Sequence, residues 1–329
     1  MPAEVSGADA VIDWLLDPKQ SDPSIRWQVM RDLLDTPEAE WQTERARVVG
    51  EGWGARLLAH ADEDGRWAGG AHFPGDYIWG SEEGQPWTST THSLSQLREF
   101  GLDPSSARRI VELIGANCRW EHDSQPYWEG EVEPCINGVT VANGTYFGVD
   151  MAPVVERLVG ERMEDGGWNC EAENGSIRSS FDTTINVLEG LLEYERATGG
   201  TADSRAARRS GEEYLLDRSL FRRLSTGEPA DARYLRLLHP NRWHYDILRG
   251  LDYFRSASIL TGQDPDPRLG EAIEHLRSRR LADGTWPLDW SPTGRVWFEV
   301  DDGPGKPSRW VTLRALRVIK WWEAAEASR

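Results

Sequence analysis

Histidine, carboxylate, amide and guanidinium side chains recur at corresponding positions along this chain, and the types suit proton transfer on a polar or anionic small molecule. His92 and Asp246 are expected to transfer protons, with Asp182 as a further carboxylate near a helix start. Asn137 and Asn186 suit the orientation of a carbonyl or hydroxyl group. Arg31, Arg249 and Arg314 suit the binding of a carboxylate or phosphate, and Glu189 and Tyr253 complete the expected substrate contacts.

The elements that must position these residues are helices. Apolar residues stand three or four apart in segments separated by Gly-, Pro- and Asp-rich loops, and no convincing run of alternating strand pattern occurs. Six segments share one phase: "DPSIRWQVMRDLL", "PWTSTTHSLSQL", "EPCINGVTVANG", "SSFDTTINVLEGL", "NRWHYDILRGL" and "PSRWVTLRALRVI". Between them lie helices with one apolar stripe and a charged back, such as "MAPVVERLVGERM" and "PRLGEAIEHLRSRR". The pattern predicts an all-α, single-domain (α/α)6 toroid over residues 1–329, with six inner and six outer helices. "GADAVIDWLL" is expected to pair with the last inner helix. If the shared apolar positions face the outer layer, the residues half a turn away face the lumen, and those are the polar residues named above, joined by Gln28, Thr88, Ser95, Thr140, Glu99 and Glu193. Arg249 with Glu189 and Arg31 with Glu99 are candidate pairs within that ring.

Asp-Gly-x-Trp occurs three times, ending at Trp67, Trp168 and Trp286, each after an outer helix and before an inner one, and Trp120 marks a degenerate fourth copy. Asp-Gly makes a tight turn, and the ring that follows is expected to brace neighbouring hairpins rather than stack a ligand.

Lys and Arg number 37 against 55 Asp and Glu, for a net charge of −18. So acidic a surface repels phosphate backbones and anionic lipid, which argues against nucleic acid or membrane partners. No run is long enough to span a bilayer and the first residues carry no basic segment, so the expectation is a cytoplasmic protein acting on a small molecule. Cys118, Cys135 and Cys170 are too few and too scattered for a disulfide framework and are expected to be reduced thiols. Oligomeric state is not legible.

"DGGWNC" followed by "SSFDTTINVLEGL", with "DGRW…STTHSLSQL" and "DGTW…SRWVTLRAL", resembles the repeat of squalene cyclases and of protein prenyltransferase β-subunits, the terpenoid-cyclase-like α/α toroids. The resemblance implies the toroid and, by analogy with the triterpene cyclase acid motif, a possible acid at Asp301 or Asp302 in "FEVDDGPG". Prenyltransferases hold zinc through a carboxylate, a cysteine two residues on and a histidine, which would fall here on Glu133, Cys135 and His244. The polar lumen favours lyase, isomerase or cyclase chemistry on a polar small molecule. A genuine isoprenoid enzyme, a carbohydrate-active toroid and a non-catalytic binding protein are the alternatives.

Overall fold

The computed structural model describes residues 7–80 and 82–328, so the first six residues of the leading segment lie outside it. Among the described residues it is all-helical, with short 3₁₀ turns, isolated bridges and no strand. The helices are α1 (Gly7–Leu16), α2 (Pro23–Asp32), α3 (Glu38–Ala46), α4 (Gly52–Leu58), α5 (Thr90–Phe100), α6 (Pro104–Asn117), α7 (Pro134–Tyr146), α8 (Ala152–Gly160), α9 (Phe181–Thr198), α10 (Ala202–Leu216), α11 (Ile247–Thr261), α12 (Gly270–Ser278) and α13 (Arg309–Ala327). Among these helices none is long and apolar enough to cross a membrane.

Several starts are written by polar caps. Asp22, Ser180, Asp246 and Ser308 each accept a backbone N–H of the first turn of α2, α9, α11 and α13. Such a cap satisfies an amide that has no partner inside the helix.

The six segments of shared phase become α2, α5, α7, α9, α11 and α13. Each packs against the next, and α13 returns to α2. The α7–α9 contact is the most extensive, because glycines let the two backbones touch: a Cβ on Gly138 would fall 2.4 Å from the Asn186 carbonyl oxygen, and one on Gly190 would fall 2.4 Å from that of Gly138. Of the remaining helices, α3 packs on α2, α4 on α5, α8 on α7, α10 on α9 and α12 on α11. The helix α1 packs mainly on α2 rather than on α13, touching α13 where the Arg309 guanidinium lies 4.5 Å from the Trp14 ring centre. Two clusters of buried side chains result, and Trp128, Val149 and Leu316 pack against both.

The three Asp-Gly-x-Trp loops share one bonding scheme. Gly65, Gly166 and Gly284 all have positive φ, as the turn requires. Each following indole is fully buried and donates to the carbonyl ten residues earlier, near the end of the preceding helix: Trp67 to Leu57 at 2.8 Å, Trp168 to Leu158 at 2.7 Å and Trp286 to Leu276 at 2.8 Å. The backbone N–H of each Trp donates to a threonine in the first turns of the next helix, Thr90, Thr184 or Thr312, at 2.9 to 3.1 Å. The loop thus ties the end of one helix to the start of the next. Trp120 is buried too, but its indole donates forward to the Tyr127 carbonyl at 3.0 Å.

Candidate functional site

A cavity of about 1380 Å³ opens where the six packed helices converge. It is lined by Gln28 and Arg31 from α2, His92, Ser95 and Glu99 from α5, Asp182, Asn186, Glu189 and Glu193 from α9, Arg249 from α11 and Arg314 from α13. Basic and acidic side chains line it in nearly equal number, although the whole chain carries −18.

All three of the expected anion-binding arginines are already engaged. Arg249 donates to both oxygens of Glu189 at 2.8 and 2.7 Å and to Asn186 Oδ1 at 2.9 Å. Arg314 reaches Asp252 at 3.4 Å and also Asn241. Arg31 pairs with Asp32 at 2.6 Å, not with Glu99. Arg317 bonds Gln28 at 3.0 Å, Asp32 at 3.2 Å and Asp252, while Arg255 sits 3.5 Å from Asp32.

Asn137, Asp246, Tyr253, Thr88 and Thr140 are not among the lining residues. Asn137 holds the loop before α7, bonding the backbone N–H of Glu131 at 2.7 Å and its carbonyl at 2.6 Å. Asp246 is fully buried and accepts from the Leu238 and Arg249 amides at 2.8 and 2.6 Å, with burial pushing its pKa up. It is a cap, so it precedes the helix whose phase was used to orient it. Tyr253 donates to Glu212 on α10 at 2.9 Å, on the side away from the cavity. On α11 the lining positions are Arg249, Asp252, Arg255, Ser256 and Ile259, so the face has drifted by one residue, or about 100°. On α7 the lining positions are Cys135, Ile136, Val139 and Tyr146, a similar drift.

Asp182 does line the cavity. It accepts from the Tyr245 amide at 2.8 Å and the Tyr234 hydroxyl at 3.2 Å, and burial raises its pKa above the usual carboxylate range. Asp301 lies behind the wall, 3.0 Å from His239 Nδ1, while His239 Nε2 is 3.3 Å from Glu99. Burial opposes charge on Glu99, but the neighbouring His239 charge and hydrogen bond, with Arg314 and Arg98, bring it down to about 2. Burial likewise opposes charge on His239, and Glu99 and Asp301 outweigh it and raise its pKa. A raised folded pKa contributes stability below the ordinary imidazole value near 6.5, and that contribution is lost as pH rises through the folded value. Unfolding free energy is therefore expected to decline above about pH 6.5, with His239→Gln flattening the decline; urea unfolding across that range checks it, and equal slopes in the two proteins would refute the assignment.

The residues that spacing did not reveal sit in loops. Gln85 Nε2 lies 3.0 Å from His72 Nε2 and 3.3 Å from His92 Nε2, and the Trp243 indole donates to Gln85 Oε1 at 3.1 Å. That last bond assigns the amide so that its two N–H groups face the two rings, leaving both Nε2 atoms as acceptors. Burial pushes His72 down to about 4, and burial, His72 and Arg242 push His92 well below the imidazole range. Both rings are neutral at physiological pH. Arg242 lines the cavity with its guanidinium 5.4 Å from the Trp87 ring centre, and burial pulls its pKa down to about 10 against the charges of Glu99 and Glu299. It makes no ion pair among the described residues, in contrast to Arg249 and Arg314.

The expected zinc set does not assemble. Glu133 and Cys135 line the cavity, but the His244 ring packs tilted on Trp243 and edge-on to Trp290 and Trp87, and burial with Arg233 and Arg249 pulls it down to about 4. Cys170 stands in its place: Glu133, Cys135 and Cys170 hold their ligand atoms within 4.8 Å of one another. The two sulfurs are 2.8 Å apart, whereas two thiolates about 2.3 Å from one tetrahedral zinc stand roughly 3.8 Å apart. As placed, the pair does not fit a shared ion.

No family model and no curated protein matches this chain. Among solved structures it is similar to one described as the crystal structure of a protein from Actinoplanes, at 15% identity and a TM-score of 0.47, covering 97% of this chain and 100% of that one.

Proposed function

We propose that residues 1–329 form one α/α toroid of six inner and six outer helices, whose lumen binds a small anionic molecule and performs acid/base chemistry of the lyase, isomerase or cyclase type. The circuit of packed helices and the apolar residues shared by both core clusters support the toroid. The observation that carries the functional reading is Arg242, a cavity cation that makes no ion pair among the described residues, beside two neutral imidazoles. A neutral imidazole is a competent base, and a guanidinium that is not already paired offers its donors to a carboxylate or phosphate. His92 is the proposed proton acceptor once Gln85 gives way to substrate. Asp182, with its raised pKa, is the proposed donor. Such a wall suits a polyprenyl chain poorly, because an apolar ligand would leave its charges desolvated and without new partners.

Thermal shift and calorimetry with small carboxylates and phosphates test this. Charge-assisted hydrogen bonds contribute about 1.5–3 kcal/mol, so Arg242→Gln is expected to weaken a binding anion by about 10- to 150-fold. Unchanged affinity in that variant, or stabilisation by farnesyl diphosphate in place of small anions, would sink the reading.

A further inference from the structure

The strongest cluster outside the proposed chemistry is a run of four side chains on the cavity wall. The Thr183 hydroxyl lies 3.4 Å from Cys170 Sγ, Cys170 Sγ lies 2.8 Å from Cys135 Sγ, and Cys135 Sγ lies 3.5 Å from Glu133 Oε2. All four residues line the cavity, so the sulfurs are reachable from inside it. Cys118, in contrast, is fully buried in the core with its sulfur 4.0 Å from Thr90 Oγ1.

We propose that Cys135 and Cys170 form a reversible intramolecular disulfide by exchange with a low-molecular-weight disulfide that enters the cavity. The inference is independent of what else the lumen binds. Geometry carries it: the sulfurs approach more closely than two ligands of one tetrahedral ion, and closing to the roughly 2.05 Å of a disulfide needs a shift of under an ångström. One cysteine lies in the first turn of α7 and the other in the 3₁₀ turn Cys170–Ala172 that precedes α9, and α7 and α9 form the most extensive helix contact.

The chemistry balances in two steps. The Cys170 thiol gives up its proton and attacks the external disulfide, forming a mixed disulfide and releasing one small thiol. The Cys135 sulfur then attacks Cys170 Sγ, its proton passing by way of the Glu133 carboxylate to the departing sulfur, and the second small thiol leaves. Two protein thiols and one external disulfide become one protein disulfide and two small thiols. The neighbouring Cys170 thiol, burial and Glu133 push the Cys135 thiol up, so its proton must leave as it attacks.

The test is incubation of the reduced full-length protein with oxidised glutathione, quenching with an alkylating agent in denaturant, and intact mass with non-reducing peptide mapping. The expected product has lost two hydrogen atoms, carries no glutathione, links the Cys135 and Cys170 peptides, and retains an alkylated Cys118. Cys135→Ser is expected to stall with glutathione on Cys170. Failure to form the link, a stable glutathione adduct on the wild-type protein, or tightly held stoichiometric zinc that needs both cysteines would overturn the proposal. The wild-type map decides even if the variant fails to fold.

Discussion

Asp252→Ala is expected to lower the unfolding free energy by about 3–5 kcal/mol, the usual cost of removing one partner from a buried charge network. The Asp252 carboxylate is buried and receives Arg317, with Arg314 at 3.4 Å and Arg255 at 4.0 Å. Burial disfavours its charge, yet the charges of Arg317 and Arg314 and the Arg317 hydrogen bond hold its pKa below the usual range. Taking it away leaves Arg317 and Arg255 with Asp32 as their remaining shared carboxylate, and leaves Arg314 with no ion pair among the described residues. The loss spans three helices at once, because Asp252 is on α11, the arginines are on α11 and α13, and Asp32 ends α2. Urea denaturation measures it. A change under about 1 kcal/mol would mean that the network is effectively solvated and contributes as surface pairs do.

Trp168→Ala is expected to cost a similar amount, about 3–5 kcal/mol, through the cavity left by a fully buried ring. The ring fills the space above Gly211, where a Cβ would lie 2.7 Å from it, and next to Leu188. The Leu158 carbonyl would also lose its indole donor. Trp168→Phe keeps most of the packing and isolates that hydrogen bond, so a smaller loss of about 1–2 kcal/mol is expected. Normal stability in Trp168→Ala, with binding of a small molecule lost instead, would reassign the Asp-Gly-x-Trp tryptophans from bracing to recognition.

The helical layout was legible because its signals are local. Phase placed Gln28, His92, Glu99, Asp182, Asn186, Glu189, Arg249 and Arg314 on the cavity wall, where side chains repeat with the helix period. It misplaced Asn137 and Tyr253, where one residue of register turns the face aside, and Asp246, which stands before its helix begins. Phase brought Arg249 and Glu189 together as a candidate pair, which the structure forms, but it matched Arg31 with Glu99 where Arg31 holds Asp32, and it left Arg314 looking like a free anion binder although Asp252 on α11 holds it. His72, Gln85, Arg242 and Cys170 lie in loops, where no period exists to orient a side chain. Cys170 meets Cys135 only because the loop after Trp168 folds back onto the first turn of α9, and glycines bring α9 against α7. Nothing in the spacing of 35 residues announces that encounter.

The near balance of charge along the cavity wall, set inside a chain of net −18, separates arrival from retention. A negatively charged molecule diffusing toward the mouth is repelled by the outer field, and it meets attraction only within contact range of groups such as Arg242. Added salt shortens the reach of that repulsion, from a Debye length of about 10 Å at 0.1 M to about 3 Å at 1 M, while short-range contacts inside the cavity are screened less. For such a ligand the association rate rises with ionic strength, the reverse of electrostatic steering, and the acidic exterior acts as a kinetic filter that admits neutral and cationic molecules faster than anions.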